Sequence, residues 1–292
     1  MGIKNLQNDR RRCLILLFLL VFALKTTAQS PDSLAIIANK IVDEATKMYK
    51  SEMASWYGTD LLSEKYADKR SLLGGYFSYS DKGTDKCVFF SKAATPKVLL
   101  TVSFNGVYSV AKGEADATER DLTPKEKDYF AIRQATMKEL STDTLFEHYK
   151  NTDLNLIPII DGDSRKVYIL TGPQQSGVVL FGNDYVLTFD KNNKLLNKRK
   201  IHKSLISIDY TGAEVQVGGV HSHLPSTGDF ITSTDICTLL MYGKTAKWST
   251  HYVMSEKFVS IWDIEKKALV ILTKEVWEKI GADQEKRKKK KN

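Results

Sequence analysis

Apolar positions recur at three- and four-residue steps across residues 32–56, where Leu34, Ile37, Ile41, Ala45 and Met48 fall on one stripe. That period predicts an amphipathic helix, with Asp32 or Ser33 placed to cap it. The pattern then changes to alternation. "YFSYSDKGTDKCVFF" predicts two strands about a glycine-containing turn. "VLLTVSFNGVYSV" predicts a hairpin centred on Asn105-Gly106, because both residues tolerate positive φ. Helical spacing returns in "LTPKEKDYFAIRQATMKEL". There Thr123 caps, Pro124 suits the first helical position and Glu126 completes a capping box.

From about residue 152 short apolar segments dominate: "LNLIPII", "KVYILTG", "GVVLFG" and "YVLTFDKNNKLL", the last with Asn192-Asn193 as a hairpin tip. "SLISI" and "EVQVGGV" follow, and then "ICTLLMYGK", a short helix that stops at Gly243. "HYVMSEKFVSIWDI" predicts another hairpin, "ALVILT" a strand, and "KEVWEKI" a final helical turn or two. The fold class expected is α+β, with an N-terminal helix and antiparallel hairpins over residues 29–150. A mixed sheet with flanking helices is expected over 151–280. The boundary near 150 is soft, since no Pro- or Gly-rich linker marks it and the two halves can share one sheet.

The two ends change the picture. Lys4 and Arg10-Arg11-Arg12 precede the apolar run "LILLFLLVFAL" (14–24), which is short for a bilayer span. Thr26 and Ala28 then suit cleavage before Gln29, so residues 1–28 read as a secretory signal peptide. Cys13 lies ahead of the apolar run and cannot be a lipobox cysteine. The expected location is periplasmic or extracellular, with no membrane span after cleavage. The formal net charge of +8 is carried by this leader and by "KRKKKK" (286–291), and the chain between them is slightly acidic. A basic face for nucleic acid is therefore not expected, and 281–292 reads as a disordered basic tail. Cleavage leaves Cys87 and Cys237, for which no bridge is expected.

Candidate chemistry gathers in "GGVHSHLPSTGDFITSTDICTLLMY" (218–242). Side chains alternate along a strand, so His221 and His223 share one face. Asp235 falls in the first turn of the following helix. Zinc takes imidazole nitrogens and carboxylate oxygens, and a catalytic zinc site leaves one position to water. A strand end and a helix start can thus place three ligands on one side of an ion. The plainer reading is also available: Thr232, Ser233 and Thr234 are natural N-cap residues with or without a metal. His251 starts a strand, His202 lies among lysines in "KRKIHKS" and His148 lacks suitable neighbours, so these three read as structural or exposed. There is no Gly-x-Ser-x-Gly elbow, phosphate loop or dinucleotide fingerprint.

At these residues the chain resembles the JAB/MPN (JAMM) metalloprotein superfamily, whose motif is His-x-His, usually Pro, then a loop to Ser-x-x-Asp. The resemblance covers roughly residues 165–275. The chain as a whole also resembles exported Bacteroidetes proteins that end in such a motif. By this resemblance His221, His223 and Asp235 are the zinc ligands, and Thr232 takes the place of the family serine that steadies an oxyanion. The loop is one residue longer, with Leu224 before Pro225. Where active members carry a glutamate as general base, this chain has Gln174 and Gln175, and a glutamine amide cannot take a proton. Glu214 is the acid on the motif strand and Asp229 is a second substitute. Two expectations stand side by side. One is a secreted zinc hydrolase of amide or isopeptide bonds acting on a peptide or cell-wall amide. The other is an inactive exported binding or scaffold protein with a degenerate domain.

Overall fold

The computed structural model describes residues 31–211 and 218–290. The expected leader (1–28) and Glu214 lie outside them. A first unit ends at Ile36 and a second runs from Ile37 onward; all the sheets lie in the second.

The fold is α+β. Helix α1 (Pro31–Lys65) is followed by a 3-10 turn (Ala67–Leu72). Strands β1 (Leu73–Asp81), β2 (Thr84–Ser91), β3 (Lys97–Phe104), β4 (Glu114–Asp116) and β5 (Arg120–Asp121) form the first sheet, antiparallel throughout. The β1–β2 turn uses Lys82 and Gly83 at positive φ, as the sequence predicts. The Asn105-Gly106 bend is also present, with Gly106 at φ 78°. It does not close a tight hairpin, however: a 3-10 turn at Val110–Lys112 intervenes before β4 returns. Helix α2 (Pro124–Thr142) starts with the expected capping box, Thr123 and Glu126 each bonding the other's backbone N–H.

The second sheet has the order β10-β9-β7-β6, built from β6 (Thr152–Asp161), β7 (Ser164–Pro173), β9 (Tyr185–Phe189) and β10 (Leu195–Lys200). Between β7 and β9, β8 (Val178–Gly182) pairs instead with β11 (Leu205–Asp209). The last sheet runs β12 (Gly218–Ser222), β13 (Thr250–Met254), β14 (Phe258–Asp263), β15 (Ala268–Thr273). Its β12–β13 pair is parallel, with helix α3 (Ser233–Tyr242) between them in the chain. Helix α4 (Lys274–Lys289) follows. It corrects an expectation: the basic run at 286–289 is not a disordered tail but continues α4 as exposed helix, where lysines suit the negative end of the helix dipole.

Alternation decides which side of each sheet is covered. In β2, Cys87 and Phe89 pack toward Ala54 and Leu61 of α1, while Val88 and Phe90 pack toward Tyr129 of α2. In the second sheet, Val167, Ile169 and Leu187 meet Ile132 of α2. Their alternates Tyr168, Leu170 and Val186 meet Met48 of α1 and Cys237 of α3. A third cluster joins Ala45 to β8, α3 and Trp262 of β14. Helix α1 therefore touches three cores along its length, and burying Met48 and Leu61 contributes on the order of 1.5–3 kcal/mol each. Cys87 and Cys237 are both free and buried, in different clusters. Among the described residues no helix is long and apolar enough to cross a membrane.

Candidate metal centre

Three local structures bring four side chains to one point. His221 lies in β12 and His223 one residue past its end, where its N–H still donates to the Met254 carbonyl at 2.8 Å. The ladder is thus prolonged, and both rings stay on one face. Opposite them, Thr232 caps α3 and Asp235 is its third residue, joined in a reciprocal capping box. The Thr232 N–H and hydroxyl both donate to Asp235 Oδ2, at 2.9 and 2.8 Å. This fixes the carboxylate.

The third structure is the turn after β10. The Ile201 N–H donates to the Asp184 carbonyl at 2.8 Å, and the His202 N–H to Asp184 Oδ1 at 3.1 Å. Across the same clasp, the Asn183 N–H donates to the Ser204 carbonyl at 3.1 Å. Gly182 makes that approach possible: its φ is 86°, and a Cβ there would sit 2.1 Å from the Ser204 oxygen. His202 is thereby turned inward.

The ring atoms converge. His223 Nε2 lies 3.1 Å from both His202 Nε2 and His221 Nε2. Asp235 oxygens lie 3.5, 3.7 and 3.3 Å from the Nε2 atoms of His202, His221 and His223. All four residues are buried, and their donor atoms lie within 4.8 Å of one another. Four donors around a tetrahedral zinc, each at its usual bond length, stand about 3.3 Å apart. The spacing fits.

The outward ring nitrogens fix two of the tautomers. His202 Nδ1 faces Asp184 Oδ1 at 2.7 Å and His223 Nδ1 faces the Phe230 carbonyl at 2.9 Å, so both must donate there. His221 Nδ1 faces His251 Nε2 at 2.9 Å. Burial first of all pushes His251 down to about 3, so that ring is neutral. The inward nitrogens of His202 and His223 then present lone pairs, beside a carboxylate and the His221 ring. Such a set repels itself unless a cation lies among it, and the outward partners are the supports that metal-bound imidazoles use. The group can hold a metal ion.

Without a metal, a proton plays that part. Burial opposes charge on His202, but Asp235 and then Asp184 outweigh it and raise the ring to about 11. Burial likewise opposes the Asp235 carboxylate, yet His202 and His221 hold it well below the usual carboxylate range. His221 is lowered, by burial first, and stays neutral. A raised basic group stabilises fully below its unfolded value and loses that contribution as pH climbs through its folded value. In chelator-treated protein, the stability advantage of wild type over His202→Gln is therefore expected to be full below about pH 6.5 and to shrink as pH rises toward about 11. Denaturant titrations at a series of pH values measure it, and a flat difference would contradict a proton-held cluster.

The motif residues His221, His223 and Asp235 are thus brought together. His202, read from its lysine-rich surroundings as structural or exposed, instead supplies the fourth donor. His251, read the same way, is structural: it is wholly buried and orients His221. Gly219 permits this, since a Cβ there would come within 2.8 Å of the His251 ring. Gln174 and Gln175 are exposed, the former donating to Asp153 at 2.8 Å, and neither joins the buried group. Asp229 pairs with Lys257 at 3.6 Å on the surface. Thr232 spends its hydroxyl on Asp235 and Thr234. The only sequence signals for His202 were the buried Ile201 beside it and the Gly-Asn-Asp turn at 182–184. Comparison of the chain with family models, curated proteins and solved structures finds no match.

Proposed function

We propose that this is an exported zinc-binding protein in which His202, His221, His223 and Asp235 hold one ion, and that its role is binding or scaffolding rather than hydrolysis. The observation that carries the reading is the convergence of four buried donors at tetrahedral spacing. Zinc is favoured over calcium or magnesium because three of the donors are imidazoles. The resemblance to JAB/MPN proteins supports three of the ligands. The fourth, His202, stands outside that motif and takes the position that an active member leaves to water.

Zinc in an open site supplies a hydroxide near neutral pH and polarises a carbonyl. Amide hydrolysis by such chemistry needs a free coordination position and a base within reach. Here four protein donors close the set, as in structural zinc sites. Among the described residues, the two carboxylates at the cluster, Asp235 and Asp184, are both engaged. Closure therefore favours the inactive member of the pair of readings.

Metal analysis of the mature chain, lacking leader and lysine run, tests the proposal. One zinc per chain is expected in wild type and a large loss in His223→Ala. Equal zinc in both proteins would overturn the ligand set. Metal-dependent cleavage of peptide or cell-wall amides by the wild type would overturn the non-hydrolytic role while leaving the ligands standing.

A further inference from the structure

A second site opens on another part of the surface, between α1, the β7–β8 turn and the C-terminal end of α3. It is a groove of about 440 Å³, within the range of small-ligand sites. In a chain with 27% charged residues, none of its lining side chains is Asp, Glu, Lys, Arg or His. Four aromatic rings line it instead: Trp56, Tyr57, Tyr210 and Tyr242. Beside them stand the amides of Gln174 and Gln175.

The wall is preassembled. Trp56 stacks on Tyr57 with ring centres 6.4 Å apart, and the tilted ring of Tyr242 lies 6.1 Å from it. Even so, Trp56 remains 47% exposed, a large apolar area left facing the groove. The amides sit on a braced turn. The Gln174 N–H donates to the Asn151 carbonyl at 3.0 Å, its side chain donates to Asp153 at 2.8 Å, and the Gly177 N–H reaches the Tyr210 hydroxyl at 3.3 Å. Little ordering entropy is left to be lost on binding.

We infer that this groove binds a neutral oligosaccharide. An ionic ligand would lose its hydration with no counter-charge in the lining to replace it. A purely apolar ligand would bury the Gln175 amide without a partner. A sugar ring matches both halves: its C–H face lies against an aromatic ring, and its hydroxyls exchange hydrogen bonds with amides at the rim. The inference does not depend on zinc, since no metal-cluster residue lines the groove.

The full mature protein, titrated by calorimetry with chitotetraose, cellotetraose and maltotetraose, tests it. At least one of the three is expected to bind, with Trp56→Ala weakening it by tenfold or more and Gln175→Ala by several-fold. Leu196→Ala, a surface change elsewhere, is expected to leave it unchanged. Because Trp56 is half exposed, its variant should keep the wild-type circular dichroism. Failure of all three sugars to bind at 10 mM would overturn the inference. So would equal binding by Trp56→Ala, or binding of a charged heparin tetrasaccharide or an acidic peptide in place of the neutral sugars.

Discussion

An Asp235→Asn protein is expected to purify without zinc and to unfold at the same denaturant concentration with or without chelator. The wild type, in contrast, should lose stability on chelation. At free zinc a thousandfold above its dissociation constant, a bound ion adds about 4 kcal/mol. The substitution is chosen to separate two jobs done by one side chain. Asp235 caps α3 through the Thr232 N–H and also faces the three imidazoles. An asparagine oxygen still accepts the capping bond, so α3 should persist and far-ultraviolet dichroism should stay unchanged. What disappears is the negative charge that the dication would draw from its one carboxylate ligand. The loss in zinc affinity should exceed the 10–100-fold typical of outer-shell changes. Stoichiometric zinc in the variant would show that the carboxylate is not a ligand.

Removing His202 is expected to do something different: to keep the metal and open its fourth position. His221, His223 and Asp235 remain in His202→Ala, and three protein ligands plus a solvent position is the arrangement of catalytic zinc sites. Cobalt(II) reports on this directly. Azide or imidazole should change the visible absorption of the cobalt-loaded variant and leave that of the wild type unaltered. Added imidazole should also restore part of the lost affinity, because Asp184 stays in place to receive its outward N–H. If wild type and variant answer azide alike, His202 is not a ligand and the closed-site argument falls. If the variant holds no cobalt, His202 is indispensable to binding rather than a cap on an open site.

How much of this was visible beforehand follows from the range over which each signal acts. The capping box at Thr123 and Glu126, the Lys82-Gly83 turn and the span of α3 up to Gly243 are set by neighbours a few residues apart, and the structure has them as the sequence predicts. His221 and His223 on one face follow from strand alternation, and Asp235 in the first turn from its caps. His202 was hidden because nothing within its own segment turns it inward. Its orientation comes from Asp184, eighteen residues earlier in the chain, through a clasp that only the folded β8–β11 pair creates. The parallel β12–β13 pairing was hidden for the same reason, since hydrophobic alternation carries no strand direction. His251 could have been placed: in β13 it alternates inward with Val253 against Tyr252, and both are buried.

The packing of α1 has one more consequence, for the order of events as the chain is made. This helix is synthesised early, and its covers arrive one after another. Ala54 and Leu61 wait for β2 and β3, Met48 waits for β7, and Ala45 waits for α3 and Trp262. Contacts between Glu44 and Lys166 or Tyr168 span more than a hundred residues. Closing such long loops precedes most of the reward for them. The N-terminal half can therefore close two cores of its own, whereas the Ala45 end of the helix stays uncovered until α3 and β14 arrive.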